Sequence, residues 1–335
     1  MWGVRVVAAV DKFRGTATAR DVAAAIGQAC WSYGLDCNEF ALADGGEGLL
    51  DALGGANRTN MVTGPLGKPV AAGWRMHRRT AIIEMARASG LALAGYADGN
   101  DPLAATTAGT GELIDHAVSA GAKRIIVGLG GSATTDGGLG ALRALSSPHR
   151  LGGVELLIAC DVTTRFTDAA AVFGPQKGAS PAQVKLLTNR LEQLAQQYRA
   201  DYGVDVSATP GAGAAGGLAG GLAALGGKIV GGFDLVADEL DLADAIEGAD
   251  LVITGEGRLD QQSFEGKVVG GVARLAAEFG VTAAAIVGVA DSAARKHMPT
   301  YVTSELFGEE RSVNEPLWCV EHAAVKLLTD LLPNR

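Results

Sequence analysis

Six short stretches of the chain set glycine beside carboxylate, hydroxyl or cationic side chains: "DKFRGT" (11–16), "ADGGEG" (43–48), "GGSATTDGG" (130–138), "FGPQKGAS" (173–180), "GAGAAGG" (211–217) and "TGEGRLD" (254–260). Glycine lets backbone N–H groups crowd around an anion, and a helix starting just afterwards adds a favourable dipole. Phosphate suits such a cradle best. Acids beside it repel phosphate unless a divalent cation lies between them, which is how Mg2+ is held in phosphoryl-transfer sites. Glycine for phosphate with acid for metal therefore points to a nucleotide-dependent kinase. The glycine density of "GLGGSATTDGGLGALRAL" (128–145) needs a local reason of this kind, because each glycine costs about 0.5–1 kcal/mol against alanine inside a regular element.

Other chemistries fit less well. The Walker pattern G-x-x-x-x-G-K-[ST] is absent, since "EGKVV" (265–269) lacks both the upstream glycine and the hydroxyl. No G-x-S-x-G elbow occurs, and the five histidines (His77, His116, His149, His297, His322) lie away from every glycine-rich turn. "GLGGSA" (128–133) and "GAGAAG" (211–216) match the dinucleotide patterns G-x-G-x-x-A and G-x-G-x-x-G, which keeps a dinucleotide oxidoreductase open as an alternative. The first match lacks an acid about 20 residues on at the end of a second strand.

The turns need elements to hold them. Apolar runs of four to seven residues, "VRVVAAV", "AIIEMA", "RIIVGLG", "ELLIACD", "DLVITGE" and "AAAIVGV", alternate with segments of helical spacing, which predicts βα units on mainly parallel sheets. In "TARDVAAAIGQACWSYGL" Thr18 and Asp21 form a capping-box-like start, Val22 and Ile26 share a face, and Gly34 stops the helix. In "SPAQVKLLTNRLEQLAQQYRADYG" Ser180 and Pro181 supply cap and first turn, and Val184, Leu187, Leu191 and Leu194 make an apolar stripe. "GKVVGGVARLAAEFG" ends a further helix at Gly280 and feeds the next strand. Turn signals at "VTGPLGKPV" (62–70) and "KIVGGFD" (228–234) suggest crossings between two domains, one of 1–62 with 241–335 and a second, 63–240, inserted into it.

Composition narrows the partners. The 335 residues are 48% hydrophobic and 19% charged, and the 48 glycines are about double the usual share of roughly 7%. A net charge of -9 argues against nucleic acid, and "RMHRR" (75–79) reads as an exposed turn or strand end. Cys30, Cys37, Cys160 and Cys319 show no metal spacing and read as free thiols in a reducing compartment. The apolar run in "MWGVRVVAAVDKF" is too short for a signal sequence, and no membrane-length apolar run occurs, so a cytoplasmic location is expected.

In order along the chain, "DKFRGT", "ALADGGEGLLDAL", "VTGPLGKPV", "AIIEMARASGLAL", "TTAGTGELI", "IIVGLGGSATTDGGLG", "ACDV", "VFGPQKGA", "GAGAAGGLAGGL" and "ADLVITGEGRLDQQSFEGK" resemble the bacterial-type glycerate kinases. The family's usual D-S-F-K-G reads Asp11-Lys12-Phe13-Arg14-Gly15 here, and its S-A-T-N-D-G-G reads Ser132-Ala133-Thr134-Thr135-Asp136-Gly137-Gly138. The resemblance implies two three-layer α/β domains, one flavodoxin/Rossmann-like with a second α/β domain inserted, and an active site in the interdomain cleft. It also implies ATP and Mg2+ as cofactors and D-glycerate as substrate, with phosphate passing to the 2-hydroxyl; a homodimer is compatible with it.

On that reading the catalytic set is Asp136, Asp44, Lys177 and Arg14, with Asp136 first as base or metal ligand. Asp11, Gly45, Gly46, Glu47, Gly130, Gly131, Ser132, Thr134, Arg258 and Lys267 are expected to bind substrate or phosphate, and Asp136, Glu256 and Asp260 to hold the metal. Asp136→Asn is expected to abolish turnover while leaving the fold intact. The altered first and serine-rich turns leave a second alternative, a non-catalytic descendant that binds a nucleotide or sugar acid.

Overall fold

The computed structural model describes residues 4–13 and 15–332, and these contain eleven strands. In chain order they are β1 (Arg5–Val10), β2 (Asp36–Ala41), β3 (Arg58–Thr63), β4 (Pro69–His77), β5 (Thr80–Glu84), β6 (Arg124–Gly128), β7 (Glu155–Ala159), β8 (Lys228–Val230), β9 (Leu251–Leu259), β10 (Thr282–Ala290) and β11 (Thr300–Val302). All six apolar runs expected as strands form them. The five others were less visible, because β2, "DCNEFA", and β3, "RTNMVT", are polar and largely exposed, while β8 and β11 have only three residues each.

Contacts divide the chain into two compact units, Met1–Asp44 with Gly232–Arg335, and Gly45–Gly231. The first crossing falls inside "ADGGEG" and the second inside "KIVGGFD". Residues 45–62 and 232–240 therefore lie with the opposite unit from the one their turn signals suggested. "VTGPLGKPV" is instead a hairpin turn: Thr63 pairs with Pro69, and Gly64 N donates to Lys68 O at 2.8 Å.

In the discontinuous unit the sheet order is β11-β10-β9-β1-β2, and every pairing is parallel. Renumbered within the unit this is 2-1-3-4-5, the flavodoxin-like order, whose switch point lies between β1 and β9. Val6, Ala8 and Val10 of β1 pack with Ile253 and Ile286, and the helices Ala19–Ser32 and Pro316–Leu331 add Ile26 and Leu327 to the same core. Thr18 caps the first helix by accepting from Asp21 N at 3.2 Å.

The inserted unit has a six-stranded sheet of order β3-β4-β5-β6-β7-β8, antiparallel at β3/β4 and β4/β5 and parallel elsewhere. Arg78 and Arg79, both at positive φ, make the exposed turn between β4 and β5. Trp74, Ile83, Ile125, Val127 and Leu218 are buried in its main core. A second cluster forms where Leu187, Leu191 and Tyr198 of the helix Pro181–Tyr202 bury against Phe166. The expected stripe supplies this contact, and each fully buried leucine contributes about 1.5–3 kcal/mol of transfer free energy.

Candidate active site

Three acids lie at or past the level where β1 ends in the flavodoxin-like sheet. Asp11 follows β1, Asp44 lies three residues beyond β2, and Glu256 sits where β9 runs past its pairing with β1. This is the carboxyl edge at the switch point, where open α/β sheets place their ligands. Burial raises the Asp11 carboxyl to about 6; the neighbouring Lys12 opposes the shift and the charge of Asp44 adds to it. Burial likewise raises Glu256 to about 7, against the Ser263 hydroxyl, while Asp11 pushes it further and Lys267 pulls it back. Oε1 of Glu256 is buried with no hydrogen-bond partner. Loss of water favours the protonated, neutral form of such a carboxyl.

Hard oxygen donors of this kind suit Mg2+, which is commonly bound through one or two carboxylates with phosphate and water completing the shell. Glu256, with its orphaned oxygen, and Asp11 meet that requirement. Asp260 is engaged as a cap: its Oδ1 accepts from Ser263 N at 3.2 Å at the start of the short helix Gln261–Phe264. Arg258 is exposed and pairs with Asp291 at 3.3 Å, and Lys267 is the half-buried residue preceding the helix Val268–Glu278. Arg14 lies outside the described residues. No group of three or more His, Cys, Asp or Glu side chains close enough to hold a metal occurs among the described residues.

In the inserted unit the glycine-rich stretch after β6 has a different character from the one expected. Gly131 is exposed and Gly130 half-buried, whereas Ser132, Ala133, Thr134 and Thr135 are buried. The Asp136 carboxylate is occupied by its own turn and by the remote Thr107. Oδ2 accepts from Thr107 N at 2.9 Å, Thr107 Oγ1 at 2.8 Å and Gly140 N at 3.1 Å, and Oδ1 accepts from Gly138 N at 3.1 Å. Four donors nearly fill the lone-pair sites of a carboxylate. Asp136 therefore organises the turn rather than presenting a base or metal ligand, contrary to its expected role.

Lys177 is corrected in the same sense. It is 2% exposed, and its Nζ donates to Thr134 O at 2.6 Å. Burial lowers its pKa to about 7 against the attraction of Asp136. A buried amine of this kind ties "FGPQKGAS" to "GGSATTDGG" and is not placed to meet phosphate. Thr134 is fully buried, its hydroxyl 3.4 Å from Ala215 O, so it too is removed from the binding set.

"GAGAAGG" is likewise interior packing. Residues 211–217 are buried throughout, and a Cβ on Gly216 would lie 2.0 Å from Thr134 O. Glycine there permits close backbone approach and leaves no open loop for a dinucleotide, which removes the support that this second G-x-G-x-x-G match lent to an oxidoreductase.

The stretches 45–48 and 128–131 meet, and in them Gly46, Glu47, Gly48, Gly130 and Gly131 are at least partly exposed. Leu129 N donates to Gly45 O at 3.1 Å, and a Cβ on Gly130 would fall 2.6 Å from Gly46 Cα and 2.7 Å from Glu47 N. Residues 84–91 hold both. Glu84 accepts from Gly48 N and Leu50 N, and Leu91 N donates to Gly131 O at 2.8 Å while Ala133 N donates to Ser89 O at 3.0 Å. Glu84 was missed in the sequence because it closes an apolar strand. Its signal was available, since a carboxylate ending a buried β-run demands partners.

The model of the Glycerate kinase family matches residues 6–148 and 146–328. Glycerate kinase of Bacillus subtilis (strain 168) is 39% identical, covering 89% of this chain and 87% of its own. Glycerate 2-kinase of Escherichia coli (strain K12) is also 39% identical, covering 86% and 85%. The crystal structure of a Salmonella typhimurium LT2 protein, provisionally named glycerate kinase 2, superposes with a TM-score of 0.84 at 34% identity over 99% of both chains. With a family match running through both units and two such relatives, the chain belongs to the glycerate kinase family and with it to the phosphotransferases.

Proposed function

We propose that the protein phosphorylates D-glycerate to 2-phosphoglycerate, with ATP as donor and Mg2+ as the assisting ion. The observation that carries this reading is the acidic edge at the β1/β9 switch point, where Glu256 keeps an unpartnered buried oxygen and both it and Asp11 hold protons unusually tightly. Asp11 and Glu256 would hold the ion. Bound there, Mg2+ supplies charge neutralisation for the transferring phosphoryl group. Asp44, set beyond β2, is the remaining candidate to accept or orient the acceptor proton, and Lys12 and Lys267 bring positive charge to the same edge. In the inserted unit, the backbone amides around Gly46, Glu47, Gly130 and Gly131 are the proposed anion contacts. Ser132, 8% exposed, borders them. A cytoplasmic location is part of the same proposal; no helix among the described residues is long and apolar enough to cross a membrane.

Purified protein supplied with ATP, Mg2+ and D-glycerate should yield ADP and 2-phosphoglycerate in a product-resolved assay. Formation of 3-phosphoglycerate would overturn the regiochemistry, and absence of any turnover would overturn the reading. Glu256→Gln should lower turnover at least about tenfold and raise the Mg2+ concentration needed for half-maximal rate.

A further inference from the structure

We infer that Glu84 is the positioning residue that fixes the 45–48 loop for ligand binding, an inference that rests on the kinase reading above. Glu84 is the last residue of β5 and is only 2% exposed. Its Oε1 accepts from Gly48 N and from Leu50 N, each at 2.9 Å, and its Oε2 accepts from Arg87 Nε at 3.0 Å. Arg87 in turn lies 3.7 Å from Asp51 Oδ2, so one buried carboxylate and one half-exposed guanidinium both contact the short helix Leu49–Ala52. That helix is a single turn. Four residues do not sustain helical structure by themselves, because nucleation is unfavourable and few bonds repay it.

The amides that Glu84 collects are the otherwise unsatisfied donors at the start of this turn. With them bound, the preceding residues 45–47 are pressed onto the backbone of 128–131 at the spacing that glycine at 130 permits. The geometry explains why a carboxyl side chain suits position 84. A carboxylate accepts all three bonds at once, whereas an amide offers an acceptor to the two amides and turns a donor toward Arg87. Glu84 has no part in the reaction itself. Its effect passes through the loop amides, and it should be read in ligand affinity more than in protein stability.

The test compares Glu84→Ala, Glu84→Gln and wild type by steady-state kinetics, thermal unfolding and amide hydrogen exchange. Glu84→Ala should raise KM for glycerate or ATP at least about tenfold with a smaller change in kcat, and should speed exchange at Gly48 and Leu50. Glu84→Gln should restore slow exchange at these two amides and recover most of the affinity. The inference is overturned if Glu84→Ala keeps wild-type KM, or if activity merely follows the fraction of folded protein with KM unchanged. Should Glu84→Ala fail to fold, Glu84→Asp, whose carboxylate is too short to reach both amides, decides: unchanged exchange at Gly48 and Leu50 together with unchanged KM would sink the proposal. A wild type that does not turn over glycerate refutes the kinase reading instead, and the exchange rates then show whether the carboxylate still holds the loop.

Discussion

Asp136 and Lys177 show how burial changes what a side chain can do. Both were read from the sequence as reactive groups, and both are structural once their partners are visible. Asp136→Asn should accordingly destabilise the fold by about 1–3 kcal/mol, since an amide nitrogen would face N–H donors; a melting temperature equal to wild type would contradict this. Lys177 has a lowered pKa, so its stabilising contribution is complete above the unfolded value of 10.5 and is lost as pH falls through about 7. In denaturant titrations Lys177→Met should flatten the rise in stability across this window. Glu256 works in the opposite direction. Its raised pKa makes its contribution complete below 4.5 and lost as pH rises through about 7, and Glu256→Gln should remove that slope. Residue types were legible in the sequence here. Exposure was not, because it depends on chain segments as distant as Thr107 from Asp136 and Thr134 from Lys177.

Helices and strands followed their local signals closely. The Ser180 cap, the Thr18 cap and the six apolar runs all appear where their composition placed them. Each signal acts within a few residues, so sequence alone carries it. Thr18→Ala should cost about 1 kcal/mol in chemical denaturation, and a neutral result would show that the cap bond is not formed in solution. The edge strands β2 and β3 escaped notice because they bury little and pair through backbone, which any side chain permits. Misreading "VTGPLGKPV" as a crossing has the same origin. A hairpin turn and an interdomain link use the same Gly and Pro residues, and only the partner strand distinguishes them.

At the level of the whole chain, the two compact units each have their own sheet and core. Residues 45–231 form a continuous segment closed by their own contacts, so this fragment should fold when produced alone and unfold in one cooperative transition by circular dichroism. A broad, non-cooperative melt would show that it depends on the remainder of the chain. Assembly of the flavodoxin-like sheet requires β1 and β2 to meet β9–β11 across the insertion, which is why its strand order could not be read along the sequence.

Taken alone, the amino-acid sequence determined the class of elements, the family and the kinds of side chain available for chemistry, because these depend on composition and short-range spacing. Tertiary structure alone decided which carboxylates remain open to a ligand. Glu256 keeps a buried oxygen without a hydrogen-bond partner at the strand edge where Asp11 is also stripped of water, while Asp136 is already saturated. The difference lies in desolvation and hydrogen-bond occupancy, quantities that exist only after remote segments have packed.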